Sequence, residues 1–144
     1  LADPALKAFG EQWAHDPLVM DQWFAIQVTR PQPDVLDRVA FLMEHPAFSL
    51  KNPNKVRALI GTFANQNPVN FHRVDGSGYR LLADTVIELN RLNPEIAARL
   101  VTPLTRWARF DETRQELMKA ELERIRAEED LSPNVYEVVE KALA

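Results

Sequence analysis

Three histidines, a glycine-flanked serine and a pair of adjacent acids are the residues of this chain whose types could do chemistry. His15, His45 and His72 are far apart in the sequence, and none belongs to a His-Glu-x-x-His or His-x-x-x-His pair that would set two imidazoles on one helix face. A zinc site needs ligands converging within about 2.0–2.2 Å of one ion, so dispersed histidines read as surface or capping residues. The stretch Asp75-Gly76-Ser77-Gly78-Tyr79 has the small residues of a phosphate cradle. No strand run precedes it, however, and the lysine that completes a P-loop is missing. Asp75-Gly76 is a turn signal, and Ser77 is expected to cap a helix beginning near Gly78. No nucleophile elbow or Ser/His/Asp arrangement occurs, and Glu128/Glu129 reads as a solvated helix face. The expectation from the residues is a chain with no catalytic and no metal-ligating group of its own.

Composition narrows the classes further. The chain has 144 residues, 46% of them hydrophobic and 26% charged, which is the balance of one soluble globular domain. It has no cysteine, which removes disulfides, thiolate zinc sites and cysteine nucleophiles, and which suits a reducing, cytoplasmic compartment. The net charge of −4, with acids and bases interleaved, argues against a nucleic-acid partner. No apolar run reaches the 18 or so residues of a membrane span. The chain opens "LADPALKAF" rather than on methionine, and is expected to be a piece of a longer protein.

The elements that would position these residues are announced by proline. Asp3-Pro4, Asp16-Pro17, Asn52-Pro53, Asn67-Pro68, Asn93-Pro94 and Ser132-Pro133 all pair a capping residue with proline. The capping side chain accepts from a free N–H at a helix start, and proline at the first helical position gives up an N–H that has no partner there. Apolar residues then recur at helical spacing: Val56, Leu59, Ile60, Phe63; Tyr79, Leu82, Val86, Leu89; Ile96, Ala97, Leu100, Val101, Leu104, with Trp107 closing that stripe. Val35, Val39, Leu42 and Met43 make a shorter one, and residues 18–28 are apolar nearly all round, as for a helix covered on several sides. From Asp111 to Glu129 charge dominates around a narrow stripe of Leu117, Met118, Leu122 and Ile125, with Arg124–Glu128 and Arg126–Asp130 expected to pair at i, i+4. No strand run is evident. Pro17, Pro53, Pro94 and Pro133 fall 36, 41 and 39 residues apart, a period found in helix-pair solenoids of the HEAT and armadillo kind. The fold class expected is all-α, a superhelical array of antiparallel helix pairs.

The segments "DPLVMDQWF", "HPAFSLKNPNKVRALIGTFANQNPVNFH", "DGSGY", "LNPEIAARL" and "RWARFDETRQELMKAELERI", in that order, resemble the C-terminal domain of bacterial aminopeptidase N, a family of zinc-dependent metallo-aminopeptidases. The resemblance runs from about Asp16 to Ala144. It implies that residues 1–144 form a single helical cap of an enzyme that removes N-terminal amino acids from peptides, with zinc held in a catalytic domain elsewhere in the same polypeptide. It implies further that the cap covers the active site, limits entry to small peptides, and has that catalytic domain and peptide substrates as its partners. Three residues are implied to face the substrate cavity: Arg57, Glu95 and Arg99. Arginine suits the carboxylate of a short peptide, because its planar fork bonds two oxygens at once. Glu95 departs from the pattern, where an amide is expected. The residues taken alone also fit a free-standing helical-repeat scaffold that binds protein partners.

Overall fold

A computed structural model of the chain describes residues 17–29, 34–46 and 48–144, with the side chains of Pro17 and Leu18 left out. The expected caps Asp3 and Asp16, and His15, lie outside these residues. Every element is helical among the described residues, as expected. The chain divides into two compact units, the first ending at Asn67 and the second running Pro68–Ala144.

The first unit contains α1 (Pro17–Gln27), α2 (Val35–Met43) and a proline-started helix that changes its winding midway. That helix begins as α3 (Pro53–Val56), passes through a π-helical turn (Arg57–Gly61) and ends as α4 (Thr62–Gln66). Asn52 starts it as expected, its Oδ1 accepting from the Asn54 backbone N at 3.0 Å. Within the π turn the Thr62 backbone N–H reaches back five residues to the Arg57 carbonyl. The Asn65 amide donates to the Gly61 carbonyl at 2.9 Å. Met20, Trp23, Phe24 and Val28 of α1 and its C-terminal end, and Val35, Val39 and Leu42 of α2, are buried with Val56, Leu59, Ile60 and Phe63. The α1 reading needs correction: Ile26 is 55% exposed, so one side of that helix is uncovered. Two polar contacts tie the unit together. Lys55, itself buried, donates to Asp21 Oδ1 at 2.5 Å, and the Asn67 amide donates to the Val28 carbonyl at 2.8 Å.

The second unit contains α5 (Pro68–Phe71), α6 (Ser77–Leu92), α7 (Pro94–Leu100), α8 (Thr102–Thr105), a 3₁₀ turn (Trp107–Arg109), α9 (Glu112–Arg126) and α10 (Pro133–Leu143). Asn93 and Ser132 cap α7 and α10 as their Asn-Pro and Ser-Pro steps predict, accepting from the backbone N of Ile96 and Val135. Tyr79, Leu82, Val86 and Leu89 of α6 enter the core, packed with α7 and α9, and Met118, Leu122 and Ile125 of α9 are buried as well. The stripe from Ile96 to Trp107 does not lie on one helix. Pro103 supplies no N–H and its ring crowds the preceding turn, so α7 stops at Leu100 and α8 restarts at Thr102. Trp107 is then only half-buried; its indole N–H donates to the Ala142 carbonyl at 2.9 Å and Lys119 sits 4.8 Å from its ring.

The ion pairs of α9 also differ from the i, i+4 expectation. Arg124 bonds Asp84 of α6 and Glu121, each at 2.7 Å, Arg126 reaches Glu140 of α10, and Glu128 faces Arg91. The helix ends at Arg126, so Glu128 and Asp130 leave helical register with the arginines, and packed neighbours supply the acids instead. Between α6 and the loop before α10, buried Asn90 acts as a surrogate peptide group. Its amide donates to the Asp130 carbonyl at 3.0 Å while its Oδ1 accepts from the Ser132 backbone N at 2.9 Å.

Candidate functional site

The residues of the segment Phe71–Tyr79 have distinct tasks. Gly76 has φ +78°, the left-handed region open to glycine, and precedes the first turn of α6. Asp75, rather than Ser77, supplies the side-chain contact at this helix start. Its Oδ1 accepts from the Ser77 backbone N at 2.9 Å and from the Ser77 hydroxyl at 2.6 Å. Those bonds hold the Asp75 carboxyl below its usual range. The expectation of a Ser77 cap is therefore corrected, because helix α6 starts at Ser77 itself, one residue earlier than expected. A carboxylate at the positive end of a helix takes the role that a bound anion would play. The glycine loop is thus served by the chain's own charge and presents a negative group where a phosphate would have to sit.

Gly78 permits a close approach. A Cβ there would lie 2.3 Å from the Phe71 carbonyl oxygen and 2.8 Å from that of Asn70, so α6 enters directly against the backbone of α5. That approach brings the Tyr79 hydroxyl to 2.6 Å from His72 Nδ1. Tyr79 is fully buried, and burial pushes its phenol up to about 12. The His72 ring packs against Phe110, with centroids 4.3 Å apart, and edge-on to Phe71. Burial and then the Arg114 charge hold His72 below its ordinary value, while Asp111 acts the other way. Arg114 donates from Nε to the His72 carbonyl at 2.8 Å and from Nη1 to Asp111 Oδ1 at 2.9 Å. This cluster escapes sequence reasoning because its partners lie up to 42 residues apart. The seven-residue step from His72 to Tyr79 across a glycine turn is its nearest sequence signal. A phenol bonded to an imidazole and packed by Phe71 and Phe110 is a structural joint.

His45 lies against the rings of Trp23 and Phe24 at 5.1 and 5.7 Å, and burial lowers its pKa. His45 belongs to the first unit and His72 to the second. Among the described residues no three of His, Asp and Glu are placed to hold a metal ion. The described side chains therefore do not fit a zinc ion.

The three residues expected at a substrate cavity are all exposed. Arg57, in the first unit, opens the π-helical turn and donates from Nη2 to Asn54 Oδ1. Glu95 and Arg99, in the second, lie one turn apart on α7, with Arg99 Nη2 2.9 Å from Glu95 Oε1 and both side chains 68% exposed. The exposed guanidinium of each retains N–H groups that can meet a carboxylate.

The family model described as "Domain of unknown function (DUF3458_C) ARM repeats" matches residues 1–144. The chain belongs to this family. The domain is similar to proteins named aminopeptidase N: 53% identical over 141 residues to that of Haemophilus influenzae, 49% over 141 residues to that of Caulobacter vibrioides, and 45% over 142 residues to that of Escherichia coli. These alignments take in 98%, 98% and 99% of the domain and 16% of each relative. Among solved structures it resembles Legionella pneumophila aminopeptidase A in complex with aspartic acid, at TM-score 0.93 and 41% identity, over 98% of the domain and 16% of that chain. The domain thus spans about one-sixth of the length of the relatives it matches.

Proposed function

We propose that the domain is the helical cap of a zinc-dependent aminopeptidase, arranged as a superhelical series of antiparallel helix pairs. It covers an active site carried by a catalytic domain of the same cytoplasmic polypeptide, and restricts entry to small peptides. The observation that carries this reading is the identity of 45–53% to proteins named aminopeptidase N, sustained across nearly the whole domain. The residues agree with a supporting role. The glycine loop is a helix joint, the described histidines serve packing, and no described cluster of side chains offers metal ligands. Zinc supplies water activation in such an enzyme, and its ligands belong to the part of the polypeptide outside this domain.

In this reading Arg57, Glu95 and Arg99 each face the substrate cavity, and the Arg99 fork meets the carboxylate of a short peptide. Glu95, where the resemblance implies an amide, orients the Arg99 fork and draws part of its charge. Arg99→Ala in the full-length enzyme tests this, assayed on a dipeptide and on an uncharged aminoacyl amide. Loss of one charge-assisted bond, about 1.5–3 kcal/mol, raises KM for the dipeptide roughly ten- to a hundredfold and leaves the amide unchanged. Equal kinetics on both substrates would remove Arg99 from the cavity.

A further inference from the structure

The joint between α5 and α6 contains a half-buried hydrogen bond, from a fully buried phenol to a half-buried imidazole, whose polarity depends on one proton. The Tyr79 hydroxyl has His72 Nδ1 as its hydrogen-bond partner among the described residues, at 2.6 Å. A phenol has a single hydrogen. When His72 is neutral with its proton on Nε2, the phenol donates to Nδ1 and both groups are satisfied. When His72 is an imidazolium, Nδ1 carries a hydrogen that meets the phenol's own, and Tyr79 must turn that hydrogen toward a surrounding which includes the Phe71 ring, 5.1 Å away. A buried donor without an acceptor is costly.

The neighbours reinforce this asymmetry. From α9 and its cap, Arg114 holds the His72 carbonyl and opposes a second positive charge, while Asp111 favours one but has its Oδ1 engaged by Arg114. From α6 comes the neutral phenol of Tyr79. Within the joint itself, Arg73 bonds Asn70 Oδ1 and Asp75 bonds Ser77. Phe110 covers one face of the ring, and Phe71 meets it edge to face.

We propose that His72 is a proton-sensitive latch on the α5–α6 joint: neutral, it accepts the Tyr79 hydrogen and closes the joint; protonated, it reverses that bond, turns the phenol hydrogen into its apolar surroundings and loosens the entry of α6. Burial lowers the folded-state value of His72, so the unfolded chain binds this proton more readily. The latch therefore contributes its full stability above about pH 6.5, the ordinary histidine value, and loses it as pH falls toward the folded value.

The test is a titration of the full chain from pH 8 to 5, following the histidine ring resonances by NMR, beside urea unfolding at each pH. The expected His72 ring is the Nε2–H tautomer with a midpoint below about 6.5, and Tyr79→Phe moves that midpoint upward. In the window between folded and unfolded values, the unfolding constant of the wild type rises by up to about tenfold per pH unit relative to His72→Gln. His45→Gln keeps that rise, which separates the latch from the other histidine whose pKa burial lowers. An Nδ1–H tautomer, a midpoint at or above the ordinary value, no change in Tyr79→Phe, or the same pH response in His72→Gln would each overturn the proposal.

Discussion

Gly78→Ala adds one methyl group at the tightest point of the fold. Its carbon would stand 2.3 Å from the Phe71 carbonyl oxygen. Carbon and carbonyl oxygen ordinarily approach no nearer than about 3.3 Å, so backbone must yield by roughly 1 Å. The obstacle is the main chain of α5, which cannot rotate away as a side chain would. Forced overpacking of this kind costs about 1–3 kcal/mol. A shift of that size carried to the next residue stretches the 2.6 Å Tyr79–His72 contact beyond hydrogen bonding. Leaving the buried Tyr79 hydroxyl unpaired adds about 1–3 kcal/mol. Alanine recovers up to about 1 kcal/mol of helix propensity, for a net loss of about 3 kcal/mol. Gly61→Ala is the control, since its Cβ would meet nothing nearer than Arg57 Cβ at 4.0 Å and the helix there gains stability. Urea unfolding of both variants, with comparable denaturant slopes, reads the difference directly. If Gly78→Ala unfolds within about 0.5 kcal/mol of the wild type, ordinary surface-substitution scatter, the close approach is not what requires glycine.

Asn90→Asp retains the acceptor for Ser132 but sets a carboxylate oxygen against the Asp130 carbonyl, and is expected to cost about 2–4 kcal/mol at neutral pH. The opposed carbonyl raises the folded-state value of the new carboxyl above its unfolded value of about 3.9, so urea unfolding should find the deficit shrinking as pH falls from neutrality and levelling off by about pH 4; a deficit independent of pH would refute the account. In the first unit, Asp21→Asn takes the bonded carboxylate from buried Lys55 and should destabilise more than the double variant Asp21→Asn/Lys55→Met, which removes both ends. Equal losses in thermal unfolding would show that the Lys55 charge left without Asp21 is not what costs the single variant its stability.

Much of the helical layout is legible from local sequence. Asn52, Asn93 and Ser132 act on backbone groups within three residues, so the Asn-Pro and Ser-Pro steps announce α3, α7 and α10 without reference to the rest of the chain. The stripes of Val56–Phe63 and Tyr79–Leu89 are buried for the same reason: helical periodicity fixes which residues share a face. Arg57, Glu95 and Arg99 are legible as exposed cations and a helical ion pair, while their place at a cavity rests on the resemblance. What tertiary structure alone decided involves partners distant in the chain. The expected partners of Arg124 give way to Asp84 because α6 lies alongside α9, and Asn90 finds its two backbone partners 40 and 42 residues away. Gly78 reads from sequence as a turn glycine, but its need for a bare Cα arises only where α5 meets α6. His72 likewise becomes more than a dispersed histidine once packing encloses its ring and Tyr79 beside it. Capping and periodicity are set by neighbours within a turn or two, whereas close approach and burial of a titratable group belong to the packed chain.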